Sequence, residues 1–274
     1  MVDFSATRLA PNLTVLRADN AGPMTLDGTC SYLLGSSRVV LIDPGSGDTG
    51  HLSRIHGEIG SRQVAGILLT HAHSDHAGLA AEASRAFGAP ILGSEQTLNR
   101  TGLDGIAVAD GQLVAPGADI SLIALATPGH SSDHMAYLTE EARWLFTGDL
   151  VLGEGSSAIL YPDGNVAAYL GSLSRLYALR PSWLLPGHGP AVADPMSLLA
   201  EYRAHRLERE AQIIRALTAG ARSVPEIRAA VYDPLPEGLA WAAEAAIAAH
   251  LASLLESGYD VPPFAAYGVP PEDD

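Results

Sequence analysis

Residues 70–78, THAHSDHAG, follow the apolar run VAGILL and place His71, His73, Asp75 and His76 within six positions. No other stretch narrows the fold so far. The apolar run is too short for a helix and reads as a buried strand; an alanine-rich helix is expected after it, from about His76 to Phe87. In extended backbone, residues two apart project to the same side, so His71 and His73 point together. Asp75 falls just before the expected helix, where an aspartate makes a good N-cap, and His76 opens that helix. Such a strand–loop–helix edge can aim all four side chains into one small volume. The plainer alternative is a capping aspartate beside solvated loop histidines. Four metal-type side chains in so short a span favour convergence.

Three later runs end in the same way. ISLIALATPGH leads to His130, with His134 four residues on; WLFTGD leads to Asp149; WLLPGH leads to His188. Each alone is an ordinary turn. Together they repeat one pattern, an apolar strand, a glycine-bearing turn and a ligand-type side chain, which is what a metal site at one edge of a sheet requires. Seven candidate ligands (His71, His73, Asp75, His76, His130, Asp149 and His188) suffice for two divalent ions. Imidazoles and carboxylates suit Zn²⁺, and Fe or Mn fit the same groups. Two such ions, two aspartates and one bridging hydroxide sum to about +1, so the site welcomes an anionic or carbonyl substrate inside an acidic protein.

With 274 residues, 47% of them hydrophobic and 17% charged, the chain can bury a substantial core, as one large domain or as one domain plus a smaller appendage. Strand-like runs and helices, the latter at about 51–62 and 166–179, mix through residues 1–190. Hairpin-like pieces there argue against a purely parallel, doubly wound sheet. After Pro195 the pattern turns helical, first in SLLAEYRAHRLEREAQIIRALTAG, where Gly220 is a stop signal, then in SVPEIRAAVY and AWAAEAAIAAHLASLLESGY. A Pro-rich acidic tail, VPPFAAYGVPPEDD, follows. The expected domains are 1–197 and 198–274.

The lone cysteine, Cys30, leaves no intramolecular disulfide and fits a reducing cytoplasm. The N-terminus lacks a basic-then-apolar leader, and no run approaches the roughly 20 apolar residues of a membrane span, so a soluble cytoplasmic protein is expected. The net charge is −15 and all 16 basic side chains are arginine. Such a field repels a phosphate polyanion at long range.

In order, THAHSDHAG, TPGHSSDH, FTGDLVLGEG and PGHGP resemble the metallo-β-lactamase-fold hydrolases over roughly residues 12–190. The resemblance implies an αββα sandwich with two metals at one edge of its sheets. His71, His73 and His130 would hold the first metal, Asp75, His76 and His188 the second, and Asp149 would bridge both. TPGHSSDHMAYL, GDLVLGEGSSAI, YPDGNVAAYLGSLSRL and the helical segment from EYRAHRLEREAQIIRAL onward are similar to the lactamase-beta-two-like branch. That branch ends in a small, mostly helical, winged-helix-like domain. It includes endoribonucleases of single-stranded RNA, polyketide thioesterases and bacterial hydrolases of unassigned substrate. Related sequences usually carry Asn where this chain has Cys30, a departure that lies away from the ligand motifs.

The expected activity is hydrolysis of a small ester, thioester or lactone by hydroxide held between two metal ions. Asp75, Asp149 and His134 are the candidate catalytic residues. His134 can protonate a leaving group or hydrogen-bond an oxyanion, and it can equally orient a ligand. Asp43, in LIDPG, reads as a partner of a ligand rather than a ligand. The runner-up is a metal-dependent endoribonuclease, opposed by the net charge. A non-enzymatic alternative is nucleic-acid binding through the winged-helix-like tail, but acidic residues interleave with its arginines and no stripe of one sign emerges. Packing against the metal domain or in a homodimer interface is the plainer role for that tail.

Overall fold

The computed structural model describes residues 6–114, 117–235, 238–259 and 261. Chain order begins with strands β1 (Thr7–Ala10), β2 (Leu13–Arg17), β3 (Cys30–Leu34) and β4 (Arg38–Ile42), helix α1 (Thr49–Ile59) and strand β5 (Gln63–Leu68). Helices α2 (Ser74–Ala77) and α3 (Ala80–Phe87), strand β6 (Ile91–Gly93), helix α4 (Glu95–Thr101) and strand β7 (Ile106–Ala107) come next. The second half holds β8 (Leu113–Val114), β9 (Leu122–Ala126), β10 (Met135–Thr139), β11 (Trp144–Gly148), α5 (Val166–Leu179) and β12 (Trp183–Pro186). Helices α6 (Pro195–Thr218), α7 (Val224–Val231) and α8 (Ala240–Glu256) close the sequence.

Contacts group the chain into two units. The first takes the residues up to Thr127, Asp133–Ser156 and Arg180–Pro195. The second takes Pro128–Ser132, Ser157–Leu179 and the chain from Met196.

The first unit is built on two mixed sheets. One has seven strands in sequential order, β1 to β7; the other has five, in the order β12-β11-β10-β9-β8. The N-terminal strands pair antiparallel as far as β4, and β4 through β7 are parallel, with helices filling each crossover. Side-chain alternation accounts for the layering. In β4, Val40 and Ile42 enter a core shared with Leu122, Tyr137 and Phe146 of the second sheet, whereas Val39 and Leu41 face Ile55 and Ile59 of α1 and Ala80 and Ala83 of α3. Strand β5 divides likewise, Leu68 inward and Ile67 outward. Both faces of these parallel strands are covered, which is why they read as unbroken apolar runs rather than alternating ones. Each fully buried Leu or Ile contributes about 1.5–3 kcal/mol.

One expected helix is two. The run His76–Phe87 is interrupted because Leu79 N–H turns to Gly45 O at 2.9 Å, leaving α2 as a single turn that carries Asp75 and His76. The cap differs too. His73 stands at the N-cap position of α2 without a side-chain cap bond, and Asp75 lies inside the first turn. Asp75 is therefore free of capping duty, and its carboxylate turns toward Thr29, His76 and His188.

The second unit is helical. Ile213, Leu217, Val224, Ile227, Ile247, Leu251 and Leu254 form its core. Arg228 Nε pairs with Glu244 at 3.0 Å, and the Arg209 guanidinium lies 4.0 Å from the centre of the Tyr232 ring. Helices α6, α7 and α8 cover the three helical runs expected after Pro195. The described residues from 198 onward include no strand, so the wing of a winged helix is not found among them. Apart from Val261, the Pro-rich acidic tail lies outside the described residues. Among the described residues, no helix is long and apolar enough to cross a membrane.

Candidate metal centre

The ends of β5, β10, β11 and β12 bring the predicted site residues of the first unit together. Past β5, Thr70 donates to Asp43 from its backbone (2.8 Å) and from its hydroxyl (2.7 Å), and Met135 N–H donates to Thr70 O at 2.7 Å, which ties one sheet to the other. Ala72, between His71 and His73, donates its N–H to Asp133 Oδ2 at 2.8 Å. Asp133 is held in turn by Thr97 Oγ1 (2.8 Å) and Arg100 (3.3 Å). The loop between the two histidines is thus pinned from both sides, and His71 Nε2 and His73 Nδ1 lie 2.9 Å apart. One ring nitrogen each of His71 and His73 and an oxygen of Asp149 fall within 4.8 Å of one another.

Asp75, His76 and His188 form a second group within the same limit. Asp43 Oδ2 accepts from His76 Nδ1 at 2.8 Å, so the Nε2 atom is turned inward, 3.4 Å from Asp75 and 3.3 Å from Asp149. His188 Nε2 stands 3.2 Å from Asp75 and 3.3 Å from Asp149. Asp149 belongs to the first group and reaches the second, its two oxygens lying 3.3 Å from His76 and from His188. The Gly187 turn permits this approach, since a Cβ there would lie 2.5 Å from Asp149 Oδ1 and 2.6 Å from His76 Cε1.

The donor set fits divalent cations. Among the described residues, neither His76 Nε2 nor His188 Nε2 has a hydrogen bond of good geometry, although both are buried and face carboxylates. Ligand atoms on one tetrahedral ion sit about 3.3 Å apart for bonds of about 2.0 Å, close to the separations found here. Imidazoles fixed through their outer nitrogen by a carboxylate are the usual arrangement of metal-binding histidines.

Burial alone would lower the pKa of His76, but Asp149, Asp75 and Asp43 outweigh it and hold it well above the ordinary value. His188 is raised to about 9, again against burial, chiefly by Asp149. Burial would raise the carboxyls of Asp75 and Asp149; His76 and His188 reverse this and hold both below the usual range.

The remaining predicted residues are placed as follows. His130 belongs to the second unit, where its Nδ1 lies 2.8 Å from Ala158 O. His134 is buried with both ring nitrogens engaged: Nδ1 is 2.9 Å from Thr127 Oγ1, and Nε2 accepts the Asp149 N–H at 3.2 Å. It braces the backbone of Asp149, so the geometry supports orientation over proton transfer. Three residues carried no usable signal in the sequence. Thr29 Oγ1 donates to Asp75 Oδ2 at 3.0 Å and is itself held by Asn20. Cys30, distant from the motifs in sequence, abuts one of them in space: its N–H donates to Gly187 O at 2.7 Å, and its thiol lies 3.7 Å from Gly189 O. Burial pushes that thiol's pKa up, against the nearby Arg17.

The Metallo-beta-lactamase superfamily model matches residues 24–188, the span that contains all seven proposed ligands. The chain belongs to this superfamily. It is 35% identical to an atrochrysone carboxyl ACP thioesterase of Aspergillus chevalieri, over 84% of this chain and 76% of that one. It is 31% identical to a beta-lactamase-like protein 2 homolog of Drosophila melanogaster, over 93% and 91%. Among solved structures, a metallo-beta-lactamase family protein from Thermus thermophilus superposes with a TM-score of 0.76 at 25% identity, covering 92% of this chain and 95% of that one. TTHA1623, solved in a di-iron-bound form, is 28% identical and gives 0.56, covering 68% and 97%. The protein is accordingly an enzyme of the superfamily's hydrolase type, on a mixed α/β fold of two sheets.

Proposed function

We propose that this chain is a dinuclear metal-dependent hydrolase of a small thioester, ester or lactone. The observation that carries the reading is the pair of donor groups meeting at Asp149, with two buried imidazole nitrogens aimed inward and, among the described residues, without a well-formed hydrogen bond. His71, His73 and His130 are assigned to one ion, Asp75, His76 and His188 to the other, and Asp149 to both. Zn²⁺ suits this set, and Fe fits the same donors, as the di-iron form of a relative illustrates. Such a pair would supply a hydroxide nucleophile at neutral pH and polarise a carbonyl oxygen.

The chain's own residues set the stage for that chemistry. Asp43 fixes the His76 ring, Asp133 fixes the loop between His71 and His73, and His134 fixes the backbone of Asp149. Asp75 and Asp149 are assigned the task of taking or returning a proton at the reacting centre. Thioesters come first among the substrates because a relative at 35% identity is named as a thioesterase. The net charge of −15 places small acyl compounds ahead of RNA.

The test uses metal-stripped protein reconstituted with Zn²⁺, Mn²⁺ or Fe²⁺ and offered short-chain and aromatic acyl thioesters, with thiol release as the readout. Release that depends on metal and disappears in His71→Ala is expected. Protein shown to carry two ions that cleaves no thioester, ester or lactone would sink the reading; parallel cleavage of single-stranded RNA would replace it with the nuclease.

A further inference from the structure

Arg206 lies on α6 and is only 5% exposed, yet among the described residues it has no carboxylate partner. Its guanidinium donates from Nη2 to Ser157 O and lies over the Tyr169 ring, 5.4 Å from the centroid. Burying a cation is costly unless its donors are engaged. What Arg206 holds is therefore the informative part, and these two contacts lead to the turn that carries His130.

The first route runs through the backbone. Ser157 is followed by Ala158, whose carbonyl lies 2.8 Å from His130 Nδ1. A carbonyl only accepts, so Nδ1 is the donor in this bond and Nε2 is the nitrogen through which His130 would hold a metal. The second route runs through packing. Gly129, at φ +141°, sits so close to Tyr169 that a Cβ there would lie 2.4 Å from Tyr169 Cα. Asn165 N–H donates to Gly129 O at 2.9 Å, and Ser172 Oγ donates to Pro128 O at 2.7 Å. The ring over which Arg206 lies thus belongs to the residue that seats the turn before His130. We propose that Arg206 is a positioning residue for the metal ligand His130, through Ser157–Ala158 and Tyr169, so that helix α6 sets the aim of one metal-binding imidazole. This rests on the assignment of His130 as a ligand.

The experiment measures stepwise Zn²⁺ affinity by chelator competition, and the visible spectrum of the Co²⁺-loaded protein, in full-length wild type, Arg206→Gln, Arg206→Lys, His130→Ala and the Arg206→Gln/His130→Ala double variant. Arg206→Gln is expected to weaken one of two metals about 10–100-fold, the usual size for a partner behind a ligand, and to alter the spectrum of that ion alone. Arg206→Lys, which keeps the charge and one donor, restores part of the loss. In the His130→Ala background the Arg206→Gln effect disappears. His250→Phe, a change in the same helical unit that leaves Ser157 O untouched, keeps both affinities. Wild-type affinity and spectrum in every folded Arg206 variant overturn the proposal. So does an Arg206→Gln loss that persists without His130, or one that His250→Phe reproduces. Wild-type protein that takes up fewer than two ions overturns the dinuclear reading instead, and this assignment with it.

Discussion

His76 and His250 are equally hidden from solvent, and their surroundings drive them in opposite directions. His76, at the strand ends of the first unit, is ringed by Asp43, Asp75 and Asp149, and its pKa stands well above the ordinary value. His250, on α8 in the second unit, is lowered to about 3, first by burial and then by Arg206, Arg209 and His205. Neither ring nitrogen of His250 has a hydrogen-bond partner among the described residues. Burial penalises the charged imidazole in both places; the sign of the neighbours decides the outcome. A histidine surrounded by carboxylates is prepared to exchange its proton for a metal cation, because the carboxylates stabilise either. A histidine surrounded by arginines stays neutral and serves packing.

The comparison breaks most visibly at Asp149. Asp149→Ala removes the carboxylate shared by the two donor groups, and a loss of activity on the order of 10³-fold or more is expected, with metal content falling in parallel. In metal-free protein the same variant should let His188 titrate lower, by about 1–3 pH units, as read by NMR of its ring protons. An unchanged His188 titration would mean that Asp149 is not what outweighs burial there. Asp43→Asn is the milder version. Asp43 has φ +49°, a conformation that Asn tolerates well, so the exchange removes charge rather than backbone geometry. The expected cost is about 10–100-fold in metal affinity, measured by chelator competition. Full affinity would show that the His76 ring keeps its aim without an anionic partner.

These two aspartates also mark how far the sequence could be read. Asp149 was legible because an apolar strand, a tight turn and a ligand-type side chain recur at four places, and recurrence is visible in one dimension. Asp43 was legible as a partner of a ligand because it, too, ends an apolar strand-like run. Asp75 reads in the sequence both as a candidate ligand and as a cap; the cap is not what forms, since local preference favours aspartate before a helix, whereas Asp75 lies inside the first turn of α2 and a tertiary bond from Leu79 to Gly45 breaks the longer helix. Thr29, Asn20 and Cys30 could not be connected to the site at all. They reach it through pairing between the start of β3 and the turn after β12, about 160 residues away, and no periodicity encodes such a pairing. The contact of Arg206 with Ser157 was hidden for the same reason: an arginine on a helix reads as solvated until the helix is packed.

The smallest effect expected separates the two regions by their pH dependence. For His250 the folded-state pKa, about 3, lies below the unfolded value of 6.5, so the unfolded chain binds the extra proton. Its contribution to stability is complete above pH 6.5 and is lost as the pH falls toward 3. The slope is at most about 1.4 kcal/mol per pH unit. For His188 the order is reversed. Its folded-state value, about 9, lies above the unfolded one, so its contribution is complete below pH 6.5 and is lost as the pH rises through 9. Metal-free wild type should therefore lose stability on both flanks of neutrality, through different units. Urea unfolding at a series of pH values from about 5 to about 9 tests this, with His250→Phe as the discriminating variant. The variant should flatten the acid limb and leave the alkaline limb as it was. An acid limb equally steep in His250→Phe would show that the arginine-ringed histidine is not the group being titrated. The contrast with His76 would then rest on geometry alone.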